Sequence, residues 1–314
     1  MSASPGKNMA ASVATRLLNR ARARNEDYHF LLTRYAVERL LWRLAQSQYA
    51  DAFILKGAMV FLVWTGEVHR PTKDLDLLAQ STQTAERLRT VFAEICNIGV
   101  EDDGLVFIAQ SIEAGPIRDD QAYGGVRLTI RAHLGKMRIP VQIDVGFGDA
   151  VTPDPVKSVF PVVLEHSSAP TLRVYPREVS IAEKLDAMVS LGMVNSRMKD
   201  YYDIHVLLGS FAFEGKVLSS ALRATFTRRG TELSAEMPLG LSDEFAFDPA
   251  KIIQWKAFRN KGTFKSLPPD LPEVISMLRS FLLPPLRAAA AGKSFEASWH
   301  PGGPWIEVSI ETGK

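Results

Sequence analysis

Cysteine is almost absent from this chain. Cys96 stands alone in 314 residues, which excludes an intramolecular disulfide and a cysteine-rich zinc site. It closes an amphipathic helical pattern, so it is expected as a buried small hydrophobe. No apolar run approaches the roughly 18 residues that a membrane-spanning helix needs, and the N-terminus carries no signal-peptide pattern. A cytoplasmic protein is expected, with no membrane partner. His29, His69, His133, His166, His205 and His300 are scattered without metal-ligand spacing. P-loop, G-x-G-x-x-G and G-x-S-x-G motifs are missing too, as are internal repeats and low-complexity tracts.

Net charge is also small, +2 with 37 basic and 35 acidic residues, so bulk charge does not point to a polyanion. Its distribution is uneven. Residues 1–50 carry Arg16, Arg20, Arg22, Arg24, Arg34, Arg39 and Arg43 against few acids, and residues 251–293 are basic as well. Basic flanks around an acidic centre fit an enzyme that holds nucleic acid. They fit solvated helix faces almost as well.

What is present is an ordinary globular composition, 46% hydrophobic, with enough length for one large domain or two. Residues 1–8 read as a disordered start. Helical periodicity follows over 10–24 and 28–48, the latter with a broad stripe of Phe30, Leu31, Tyr35, Leu40, Leu41 and Leu44. A third helix is expected over 82–97. Strands are expected over 105–112, 126–133 and 140–147, with turns at Gly115-Pro116 and Tyr123-Gly-Gly. A Pro-rich connection over 151–161 and a strand at 171–175 lead to Ser180, which has capping-box spacing to Glu183. Helices near 181–192, 199–210, 214–229, 249–259 and 271–291 complete the chain, and Trp305-Ile-Glu-Val-Ser-Ile reads as a short strand. Three parts are expected: N-terminal helices over 1–50, a core domain over 51–178, and a mainly helical domain over 179–314.

The chemistry centres on residues 53–78, FILKGAMVFLVWTGEVHRPTKDLDLL. Side chains alternate along a strand and i, i+2 lie about 7 Å apart, so Asp74 and Asp76 share one face while Leu75 and Leu77 take the other. Two adjacent carboxylates call for a positive partner, and a hard divalent cation is the usual one. Thr72, two residues ahead of Asp74, is expected on the same strand and face. Upstream, Lys56-Gly57-Ala58 forms a small-residue turn between a strand and a helix, where backbone N–H groups can meet a phosphate. Later, Val141, Ile143 and Val145 alternate with Gln142 and Asp144, which gives Asp144 the same one-face placement.

A second constellation lies at Glu183-Lys184-Leu185 and Arg197-Met-Lys199-Asp200-Tyr-Tyr-Asp203. Lys184 near a helix start opposes the macrodipole and needs a compensating anion, which a triphosphate or a nearby acid would supply. Asp200 and Asp203, at i and i+3, share a helix face.

LKGA followed by RPTKDLDL, and then EKL…SRMKDYYDI in that order, resembles the AbiEii and MenT-like toxin branch of the polymerase β-like nucleotidyltransferases. The match is good over roughly 50–80 and 180–208 and looser over 140–148. One departure stands out: Ala58 occupies a place where the wider superfamily often has Ser, so backbone N–H groups alone would serve that turn. The resemblance implies an α/β (α+β) fold with a polymerase β-like core and a helical domain closing over a cleft. It implies Asp74 and Asp76 as ligands of two Mg²⁺ ions, with Asp144 as third carboxylate and Asp149 as the fallback. Lys184 would contact NTP phosphates, and Lys56, Gly57, Ala58, Thr72, Arg197, Asp200 and Asp203 would build the nucleotide pocket. The acceptor would be RNA, the tRNA 3′ end, with translation arrest as the outcome and a cognate antitoxin as partner; no DNA partner is expected. Two rivals remain: an aminoglycoside-type nucleotidyltransferase and a non-catalytic module of the same fold.

Overall fold

Asp27 starts the helix that organises the first half of the chain. Its carboxylate accepts a hydrogen bond from the Phe30 N–H at 2.7 Å, which satisfies one of the donors that a helix start leaves open. The computed structural model describes residues 5–117, 124–261, 264 and 268–307. The first four residues of the expected disordered start lie outside that range, and Pro5 already opens α1 (Pro5–Arg24). Helix α2 (Tyr28–Gln46) follows. Strand β1 (Phe53–Lys56) runs through a single 3-10 turn at Gly57–Met59 into α3 (Val60–Thr65), which Gly66 closes in the left-handed region at φ 73°. Then come β2 (Asp74–Ala79) and α4 (Ala85–Cys96), capped by Thr84, whose hydroxyl accepts from the Arg87 N–H at 3.1 Å.

Three long antiparallel strands continue the unit: β3 (Leu105–Pro116), β4 (Gly125–Leu134) and β5 (Met137–Phe147). Gly115-Pro116, expected as a turn, instead lies inside β3 and pairs with Arg127 and Val126; the ladder resumes beyond an irregularity between Ile108 and Glu113. Tyr123 of the other expected turn lies outside the described residues. Strands β6 (Val156–Val159) and β7 (Thr171–Val174) complete a mixed seven-stranded sheet ordered β3-β4-β5-β2-β1-β7-β6. The β2–β5 and β1–β7 pairs are parallel and the others antiparallel.

Leu75 and Leu77 of β2 and Val141, Ile143 and Val145 of β5 are buried in one core with Leu31, Tyr35 and Leu40 of α2 and Leu88, Phe92 and Ile95 of α4. Burying each such side chain contributes roughly 1.5–3 kcal/mol. That burial fixes the register, because a one-residue slip would turn the aspartates into the core. Cys96 is buried in the same cluster, and burial pushes its thiol up to about 12.

The chain divides into two units, residues 1–148 with 156–174, and residues 149–155 with 175–314. The second contains α5 (Arg177–Leu191), α6 (Met198–Ser210), β8 (Phe213–Glu214), α7 (Gly215–Arg229), the single-turn α8 (Asp243–Ala246), α9 (Pro249–Lys261), α10 (Leu271–Ala290), β9 (Ala297–Trp299) and β10 (Trp305–Glu307). Its core is formed by Leu185, Ile204, Leu222, Val274, Leu278 and Phe281. Of the expected tail strand, 305–307 are in β10 and 308–310 lie outside the described residues. Helix α5 corrects one expectation. It starts at Arg177 after Pro176, so Ser180 sits within the helix rather than at its cap, and Glu183 instead accepts from the Tyr175 hydroxyl at 3.0 Å. Proline's fixed φ suits the residue that precedes a helix, and it takes the boundary upstream of the capping-box signal. No described helix is long and apolar enough to cross a membrane.

Candidate active site

Strand pairing assembles the first constellation. Lys56 of β1 stands opposite Asp76 of β2, Asp76 stands beside Asp144 of β5, and Asp144 stands opposite Arg127 of β4. Four side chains from four strands thus form one row across the sheet, on the face away from the leucine core. Their signs run plus, minus, minus, plus. Asp74, two residues back on β2, shares that face and pairs with Gln142. Asp74 and Asp76 are half-buried, while Leu75 between them is fully buried.

The turn after β1 is pressed against this row. Gly57 has φ +70°, and a Cβ added to it would lie 1.9 Å from Asp76 Oδ2 and 2.6 Å from Asp76 Cγ. Only glycine leaves room for that carboxylate there, and only glycine adopts the left-handed backbone without strain. Ala58, next in the turn, is buried. Thr72 is not on β2: the strand begins at Asp74, and residues 71–73 have no regular structure. Thr72 lines a small recess with Ala58, His69 and Arg70 instead, and strand alternation does not place its hydroxyl.

Arg127 is the residue that sequence reasoning missed. Its Nε donates to Asp144 Oδ1 at 2.8 Å and its Nη2 to Oδ2 at 2.7 Å, the bidentate geometry that makes arginine–carboxylate pairs strong. Alternation over 126–133 does put Arg127 on a polar face, but nothing local says that this face meets Asp144. The two carboxylates of β2 are hard oxygen donors of the kind that Mg²⁺ takes, so their chemistry suits a divalent ion. Both oxygens of Asp144 bind Arg127, and among the described residues no group of three His, Cys, Asp or Glu is placed to hold a metal.

The second constellation closes within the second unit. Lys184 Nζ of α5 donates to Asp200 Oδ1 at 2.7 Å and to Asp203 Oδ2 at 2.8 Å, both on α6. Lys184 is not near a helix start as expected: α5 begins at Arg177, which puts Lys184 mid-helix, beyond the first turn where the macrodipole acts. These two acids hold its ammonium, and Asp203 is fully buried. Arg197 is the residue before α6, and its backbone N–H donates to Asn195 Oδ1 at 2.9 Å. Asp149, the fallback third carboxylate, lies in this unit too. It accepts from Arg229 Nη2 at 3.1 Å, and Arg229 also reaches Asp186 and Glu183. Burial works against that guanidinium, yet Glu183, Asp149 and Asp186 outweigh it and raise its pKa.

Comparison with protein-family models matches residues 39–277 to AbiEii, the nucleotidyl transferase AbiEii toxin family of type IV toxin–antitoxin systems. The chain belongs to the AbiEii family. The AbiEii match runs from within α2 to within α10, so it takes in Lys56, Asp74, Asp76, Arg127, Asp144 and the Lys184 triad. No curated protein matches this AbiEii chain. Two solved structures from Helicobacter pylori are similar to it, JHP933 and a candidate nucleotidyltransferase. JHP933 is 15% identical with a TM-score of 0.46, covering 84% of this chain and 91% of its own; the other is 16% identical with a TM-score of 0.46, covering 83% and 92%.

Proposed function

We propose that this AbiEii nucleotidyltransferase transfers a nucleoside monophosphate from an NTP to the 3′ end of a tRNA, which blocks translation, and that a cognate antitoxin opposes it. The reaction would take place in the cytoplasm, where both substrates are. The observation that carries the proposal is the carboxylate pair Asp74 and Asp76, half-exposed on β2 with the Gly57 turn pressed against Asp76. In the transfer, the acceptor hydroxyl oxygen bonds to the α-phosphorus, the bond between the α-phosphorus and its bridging oxygen breaks, and pyrophosphate leaves as the hydroxyl gives up its proton. Asp74 and Asp76 would hold Mg²⁺, which supplies Lewis-acid charge when bound. Backbone N–H groups at Gly57 and Ala58 would orient phosphate oxygens, and no side-chain hydroxyl assists there. In the second unit, Lys184 is the cation proposed for the triphosphate, with Asp200 and Asp203 fixing its ammonium.

A second reading, transfer to a small molecule, is favoured by one observation. The N-terminal arginines expected to meet RNA are largely engaged inside the first unit. Arg16 and Arg20 donate to the carbonyls of Glu165 and Val163, Arg39 donates to that of Ser168, and Arg43 grips Asp103. Radiolabelled NTPs incubated with total RNA, with and without Mg²⁺, separate the two. Label in tRNA that requires Mg²⁺ supports the first. Label on an aminoglycoside and none in RNA replaces it with the second.

A further inference from the structure

We infer that Arg127 is the permanent counter-cation of Asp144, so that the site loads one divalent ion, on Asp74 and Asp76, where a three-carboxylate site would load two. The inference rests on the nucleotidyltransferase reading and deepens it. Its basis is the row across β1, β2, β5 and β4. A metal at Asp144 would have to share both oxygens with a guanidinium already bound to them, at 2.8 and 2.7 Å, and the two cations would repel each other across that carboxylate. Arginine does not lose its proton in proteins, so no pH change relieves the competition. The charge count agrees. Within this row, the three acids Asp74, Asp76 and Asp144 and the two cations Lys56 and Arg127 sum to one net negative charge. One divalent ion turns that to one net positive charge, a suitable balance for an incoming polyanionic triphosphate. A second ion would raise it to three, with Arg127 repelling it from the oxygens that it needs. Arg127 therefore acts through Asp144 as a positioning residue. Its guanidinium occupies the side of the row that a second metal would take.

The test is Mn²⁺ binding by the full chain, followed by the electron paramagnetic resonance signal of the free ion. Wild type should bind one ion per chain. Asp144→Asn should leave that stoichiometry unchanged and the affinity within about threefold, whereas Asp74→Asn should weaken it by on the order of 10-fold or more. Arg127→Ala should admit a second ion by releasing Asp144, and Arg127→Lys, which keeps the charge, should stay at one. Arg127 is half exposed, so thermal melts of both variants should match wild type; if Arg127→Ala does not fold, Asp144→Asn carries the test alone. Two ions in wild type, with one lost in Asp144→Asn, would overturn the inference and leave the nucleotidyltransferase reading standing. Equal Mn²⁺ binding by wild type, Asp74→Asn and Asp76→Asn would overturn both.

Discussion

Two groups of side chains in this protein have nearly the same composition and opposite settings. On β2, β5 and β4 of the first unit, acids and an arginine lie on an open sheet face, with the Arg127 side chain 46% exposed and that of Asp144 17%. On α5 and α6 of the second unit, Lys184, Asp200 and Asp203 are 14%, 8% and 0% exposed. A buried ion group is held by mutual neutralisation, and removing one member leaves charge stranded in low dielectric. A half-exposed group keeps much of its hydration, so its members can be removed at little cost to the fold. In the first arrangement Asp74 and Asp76 stay open to a ligand while Arg127 keeps Asp144. The second is primarily a brace between two helices, and any role with nucleotide is added to that.

The largest effect expected is on activity with no effect on the fold. Asp74→Asn or Asp76→Asn should abolish transfer in the labelled-NTP assay while the metal-free melting temperature holds or rises, because removing one of two like charges relieves repulsion. A fall of many degrees would make the pair structural and erase the contrast between the two groups. Gly57→Ala should come close to the same loss, at least roughly 10²-fold in kcat/KM, as the new methyl drives into Asp76. It should also cost about 1–3 kcal/mol of stability for the positive φ.

The buried group should respond the other way round. Lys184→Ala should destabilise the protein by about 3–5 kcal/mol in urea unfolding, since two buried carboxylates lose this cation. Lys199→Ala, on the exposed side of the same helix as those acids, should be nearly silent. Equal, small losses would show that burial does not separate these groups.

A smaller effect tests whether burial also governs a third group. Glu38 is fully buried beside Arg39 and accepts from the Val163 N–H. Desolvation raises its pKa to about 6 from an ordinary 4.5, against the pull of Arg39 and that N–H. The folded state thus holds this proton more tightly than the unfolded chain. The stabilisation is full below about pH 4.5 and fades as pH rises through about 6, about 2 kcal/mol in all. Urea midpoints between about pH 4 and 7 should show that slope, and Glu38→Gln should flatten it. The smallest effect belongs to the open row: Arg127→Ala should cost less than about 1 kcal/mol.

Much of the candidate site's geometry was legible because it obeys local rules. Strand alternation put Asp74 and Asp76 together on one face. It also turned Asp144 away from the core while Val141, Ile143 and Val145 pointed inward. The i, i+3 spacing put Asp200 and Asp203 on one face for Lys184. The Gly57 turn was legible as a place of close approach, though what approaches it is Asp76. The Ser180 cap and the Gly115-Pro116 turn misled, because a proline upstream and a strand partner downstream each outweighed the local signal.

Local spacing was enough to set the α/β order of elements, the paired acids of β2, the acids open to Lys184, and the motif order that marks the AbiEii family. These depend on separations of a few residues, which backbone geometry converts directly into shared faces. Packing at long range set the rest: that Arg127 grips Asp144, that Asp149 belongs with Arg229, and that the N-terminal arginines hold backbone carbonyls of residues 163–168. Those contacts join residues 17 to 149 positions apart. Strand register and helix docking, which no local pattern encodes, decide which of these charges meet.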